Sequence, residues 1–201
     1  MPHSSFGLLR AVRIHQVSVP SVKESTAFGR PNACNLCHLD KTLQWTADTL
    51  HLWYGKPVPE LPSDDRRISA AVKWLLKGDA GQRALIAWSM GWAPAQKASG
   101  RDWLGAYLAT TLVDPYAAVR FAAGKSLQTL PGFEKFTFNY TADRLQIKAV
   151  ATKAYQDWLV PRKAKPKEFV PTVLIDSDGQ FEFAHERLLL ERDTRFIFLV
   201  E

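Results

Sequence analysis

With 201 residues, 46% of them hydrophobic and seven of them tryptophan, the chain can bury a packed core in one domain or two small ones. Its longest apolar runs are far too short to cross a bilayer, and Met1 to Arg10 lack the charged start and apolar block of a secretory signal. Twenty-six Lys and Arg against 20 Asp and Glu give a net charge of +6, but these basic residues are dispersed and no nucleic-acid-binding motif accompanies them.

Residues 1–33 carry few period-3.6 signals and contain Pro20, Gly29 and Pro31; they read as an extended or partly helical wrap. They lead into Cys34-Asn35-Leu36-Cys37-His38. Asp40 is placed to cap a helix from about Lys41 to Tyr54, with Leu43, Ala47, Leu50 and Tyr54 on one face. Gly55 and Pro57 end it, and a linker with Pro57, Pro59 and Pro62 closes this first segment, 1–57.

A second block, 64–160, reads as helical throughout. Ile68, Ala71, Val72, Leu75 and Leu76 form one amphipathic stripe, and Gly78 and Gly81 bracket the next turn. Further helices are expected over about Gln82–Gly91, Arg101–Leu112 and from Asp114-Pro115, where Asp caps and Pro takes the first helical position. The longest is expected over about Thr141–Leu159, with Ile147, Val150, Ala151, Ala154 and Trp158 aligned. Arg162, Lys163, Lys165 and Lys167, interleaved with Pro161 and Pro166, read as a solvated linker. The tail, 168–201, reads as strand, helix, strand: Thr172–Ile175, Glu182–Arg192 and Phe196–Val200, with a turn at Asp178-Gly179. The fold class expected is mainly α, helical hairpins with a small α/β tail. The stretch from Asp114 to Ala123 resembles a HEAT-type repeat, in which alanines allow close helix packing and Asp and Arg tie neighbouring turns.

The motif at 34–38 has the form C-x-x-C-H, the attachment signature of a c-type haem. Two thiols add across the porphyrin's vinyl groups, and the following histidine ligates iron from the proximal side. The chain has only two cysteines, and both lie in the motif. A zinc site needs further ligands, a thioredoxin-like dithiol belongs to a βαβ unit, and a plain disulfide leaves His38 unexplained. These three readings are weaker than haem. Covalent haem also implies an extracytoplasmic, periplasmic location, with a signal segment upstream of this sequence.

The run from Gly29 to Lys41, followed by Trp45-Thr46-Ala47 and Trp53-Tyr54-Gly55, resembles the last haem segment of bacterial multihaem cytochromes c with C-terminal helical repeats, HEAT-type or tetratricopeptide-like. The resemblance implies haem c as cofactor, with Cys34 and Cys37 as thioether residues and His38 as the proximal ligand. It also implies that the chain is the C-terminal part of a longer cytochrome, partnered by upstream haem modules and by redox proteins. A mildly basic face suits an acidic redox partner. Such proteins usually have bis-histidine haems, and His15 sits where they carry a histidine upstream of the motif. His15 is therefore the first candidate for the distal iron ligand and His3 the second. Of the other residues weighed, His51 reads as a helix-flank residue pairing with Asp48, His185 as surface and Met90 as core; Met1 completes the set. Trp45 and Trp53 are expected either at the haem edge or in helix packing.

Electron transfer needs no catalytic group, and the chain shows no G-x-S-x-G, P-loop, Rossmann fingerprint or H-E-x-x-H. Asp64-Asp65 and Glu191-Arg192-Asp193 read as solvated faces. The expectation is an electron carrier rather than an enzyme. The alternatives are a helical-repeat interaction module whose haem is structural or absent, and a fragment of a multihaem oxidoreductase acting on a nitrogen or sulfur oxyanion.

Overall fold

The computed structural model describes residues 1–13, 19–164 and 168–196. The chain opens with an antiparallel hairpin, β1 (Ser5–Gly7) and β2 (Arg10–Val12), paired Ser5 to Val12. Ten α-helices follow among the described residues: α1 (Val22–Phe28), α2 (Leu43–Tyr54), α3 (Ser63–Arg67), α4 (Ala70–Lys77), α5 (Ala80–Met90), α6 (Ala93–Ser99), α7 (Leu104–Thr111), α8 (Ala117–Leu127), α9 (Arg144–Ala164) and α10 (Phe183–Leu190). None of them is long and apolar enough to cross a membrane.

Helix starts follow side-chain chemistry. Asp79 and Gln82 form a reciprocal capping box at the head of α5. Ser69 caps α4, and Thr42 rather than Asp40 caps α2 through its hydroxyl on the Trp45 N–H. Asp40 instead lies against the Lys41 ammonium at 2.8 Å.

The core is centred on α7, where Leu104, Ala106, Tyr107, Leu108 and Ala109 are all fully buried. Small residues allow helices to approach closely around it. α5 lies along α8 through Ala84 and Val119, and α7 lies along α9. At Gly105 the approach is so tight that a Cβ would fall 2.5 Å from Cδ1 of Trp158. Trp158 is itself fixed by its indole N–H on the Asp102 carbonyl, 2.7 Å away.

Between α5 and α8 runs a buried ion pair. Arg83 donates to both carboxylate oxygens of Asp114, at 2.7 and 3.1 Å, and each side chain is 1% exposed. Asp114 also accepts the Tyr116 N–H, and α8 begins only at Ala117, so this carboxylate ties α5 to the connection between α7 and α8 rather than capping a helix at Pro115. Asp65 is likewise buried, paired with Lys73, and not part of a solvated face.

The tail differs from the expected strand–helix–strand. Its helix is present as α10, but Pro171–Val173 is a 3-10 turn, and the only pairing among its described residues is a single bridge between Ile175 and Phe181. The α3 and α4 helices hold this tail through Asp64 to Arg187 and Lys77 to Glu191. Arg162 is not a free linker charge: its guanidinium stacks over Trp158 at 4.4 Å and donates to the Asp102 carbonyl. Lys165 and Lys167 lie outside the described residues, as does most of the second expected strand.

Candidate functional site

The turn at 34–38 is a single helical loop closed by backbone hydrogen bonds. The N–H groups of Cys37 and His38 both donate to the Cys34 carbonyl, at 3.2 and 2.7 Å. Residues i, i+3 and i+4 of such a turn share one face. Cys34, Cys37 and His38 therefore look the same way, and all three are half-buried. The two residues between the cysteines look inward, with Asn35 0% and Leu36 1% exposed.

Asn35 is the anchor. Its carbonyl oxygen accepts from the Asn32 amide at 2.9 Å and the Thr46 hydroxyl at 2.8 Å. Its own amide donates to the carbonyls of Lys41 and Thr42. Asn32 in turn accepts the Asn35 N–H on its side-chain oxygen and donates its amide to the Ser25 hydroxyl on α1. A buried polar network in which each member is satisfied fixes a loop more firmly than apolar contact alone.

The far side of the turn is pinned to the helical body. Ser99, at the end of α6, accepts the Leu39 N–H at 3.2 Å and lies 3.3 Å from the Cys37 carbonyl. Ser69 donates to the Leu39 carbonyl, Thr172 to that of Asp40, and the Ala70 N–H to that of Lys41.

Both cysteines are free thiols, not a disulfide. Burial, reinforced by the charge of neighbouring Cys37, raises the Cys34 thiol above its ordinary value, and burial raises Cys37 as well. Each is therefore a protonated thiol at neutral pH, unlike the activated thiolate of a disulfide oxidoreductase. The His38 ring lies against the Trp45 indole, with centroids 4.9 Å apart and planes tilted by 49°. Among the described residues no three His, Cys, Asp or Glu side chains converge as a metal-ion ligand set would.

The remaining histidines and methionines fall elsewhere. His15 lies outside the described residues. His3 packs edge-on against Trp88 and Trp92, at 6.4 and 5.8 Å, and its Nδ1 is buried without a partner. Burial, Arg13 and the amino terminus lower the pKa of His3. His51 does not pair with Asp48: its Nδ1 is 2.9 Å from the Lys56 carbonyl, while Asp48 accepts from Gln44. His185 is not a surface residue. It is 5% exposed, stacks on Phe181 at 3.9 Å, and has an unpartnered Nε2; burial, with Arg192 nearby, pushes its pKa down to about 4. Met90 is fully buried core, and Met1 is 68% exposed.

Sequence reasoning on the motif passed over Asn32, Asn35 and Ser99, which hold it in shape. Two asparagines three residues apart, one inside the motif, were the available signal. Comparison with protein-family models, curated proteins and solved structures finds no match for the chain.

Proposed function

We propose that this chain is a c-type haem-binding electron-transfer protein, the C-terminal portion of a multihaem cytochrome whose helical hairpins form a HEAT-like docking scaffold. The observation that carries the reading is the shared face of Cys34, Cys37 and His38 on a turn whose intervening residues are anchored inward. Two free thiols and one imidazole on that face are the donor set a covalent porphyrin needs. Cys34 and Cys37 would hold the macrocycle, each S–H adding across one vinyl group so that sulfur bonds to carbon and the proton passes to the neighbouring carbon. His38 would hold the iron from the proximal side. When bound, haem supplies a one-electron ferric–ferrous couple.

The protein's part is rigidity and orientation. Asn35 and Leu36 keep the thiols facing outward, and Trp45 packs on the imidazole. The packing of α5 on α8, with α6 and α7 between them in the chain, and of α7 on α9, with α8 between, supports the repeat reading, as does the Arg83–Asp114 tie. His3 is the described candidate for a distal ligand, although its ring contacts are with Trp88 and Trp92. The setting proposed is periplasmic, with redox proteins and upstream haem modules as partners.

The test is maturation in a host with periplasmic haem-attachment machinery, followed by denaturing electrophoresis with haem staining and intact mass measurement. Retained stain, lost in the Cys34→Ala/Cys37→Ala variant, is the expected result. Folded, colourless protein with both thiols open to alkylation refutes it and leaves a helical-repeat interaction module.

A further inference from the structure

The outer face of α2 is unusually apolar for a surface. At 100° per residue, Trp45, Thr49, Leu52 and Trp53 fall within an arc of about 100°. Leu43, Ala47 and Leu50 face the core on the other side. Leu52 is 80% and Trp53 66% exposed. The Thr49 hydroxyl is turned back onto the Trp45 carbonyl at 2.8 Å, which removes the polar group from the stripe. A hydrogen-bonded Gln44–Asp48 pair borders it. Contiguous exposed apolar side chains rimmed by polar ones mark a surface that something covers.

The stripe starts at the candidate site, because Trp45 is the side chain that touches His38. From Trp45 to Trp53 it runs about 12 Å along the helix axis at 1.5 Å per residue, the scale of a porphyrin's width. We infer that the stripe is the bed of the porphyrin tethered to Cys34 and Cys37, so that the macrocycle covers Trp45, Leu52 and Trp53. The inference rests on the haem reading above. Its geometry follows from tethering: thiols and imidazole share one face, and the stripe is continuous with that imidazole through Trp45. Phe28, 82% exposed, lies on α1, and Phe183, 81% exposed, on α10. Both serve as internal controls.

The experiment is hydroxyl-radical footprinting, read by mass spectrometry, of holoprotein against the haem-free Cys34→Ala/Cys37→Ala protein. Modification of Leu52 and Trp53 is expected to fall severalfold in the holoprotein, with Phe28 and Phe183 unchanged. In parallel, Trp53→Ala is expected to lower the midpoint potential, because water reaching the ring edge favours the ferric charge, whereas Phe183→Ala leaves it in place. Covalently bound haem with Leu52 and Trp53 as reactive as in the haem-free protein overturns the bed and spares the haem reading. Protein without attached haem overturns both.

Discussion

Replacing Asp114 with alanine tests how the hairpins are held together. The Asp114 carboxylate takes hydrogen bonds from two Arg83 nitrogens, Nε and Nη2, at 2.7 and 3.1 Å. Without it, Arg83 keeps acceptors only at Nη1, the carbonyls of Gly78 at 2.7 Å and Asp193 at 3.3 Å. With the Arg83 side chain 1% exposed, water cannot replace the lost partners. Breaking one side of such a buried pair costs about 3–5 kcal/mol, a large share of the ~5–15 kcal/mol that holds a domain together. The melting temperature should fall by roughly 10 °C. Arg83→Met should cost less, because Asp114 keeps the Tyr116 N–H and Arg192 at 3.3 Å. The double variant Arg83→Met/Asp114→Leu should recover much of the Asp114→Ala loss, since an apolar pair of similar shape leaves no buried charge at that position. Urea unfolding followed by far-UV circular dichroism at pH 7 gives all three values. An Asp114→Ala cost below about 1 kcal/mol, the range of exposed ion pairs, would refute the reasoning.

His185 should make the fold acid-sensitive. Its pKa is lowered from 6.5 to about 4, so the unfolded chain binds a proton there that the folded chain refuses. The stability from the neutral ring is complete above about pH 6.5 and is lost as pH falls toward 4, a loss of about 3 kcal/mol. His185→Leu should remove that component from urea midpoints measured at pH 7 and pH 4, and a pH dependence identical to wild type would exclude it. Asn35→Ala strands the buried Thr46 hydroxyl and takes one of two partners from the Asn32 amide and from the carbonyls of Lys41 and Thr42. It should cost about 3 kcal/mol and lower the yield of covalent haem; full stability with full attachment would show that the network does not shape the turn.

The helices of 64–160 were legible because their stripes face one core: Ala71, Val72, Leu75 and Leu76 on α4 and Ile147, Ala151, Ala154 and Trp158 on α9 are buried as the periodicity implies. Local polar signals were less dependable, because distant partners claimed them. Asp114 looks like a cap in sequence, yet Arg83, 31 residues earlier, takes it. α6 went unseen: it is seven residues long, starts with a proline in its first turn, and buries only Ala95. The N-terminal hairpin was also hidden. Its turn is Leu8-Leu9, with φ of 51° and 54°, where glycine or asparagine would ordinarily signal the left-handed conformation. His185 is followed by Glu186 and Arg187 in sequence, and the Phe181 stack reveals its burial. At the candidate site the placing of Cys34, Cys37 and His38 on one turn was legible, since spacing carries it; the Asn35 scaffold was not, because its partners come from separate segments.

The clamps on the 34–38 turn reach far along the polypeptide. Ser99 is about 60 residues downstream of Leu39 and Thr172 is 132 beyond Asp40. Loop closure over such separations comes late in folding. The turn therefore gains its outer clamps only once α6 and the segment around Thr172 have packed, whereas the network of Asn32, Asn35 and Thr46 needs nothing beyond residue 46.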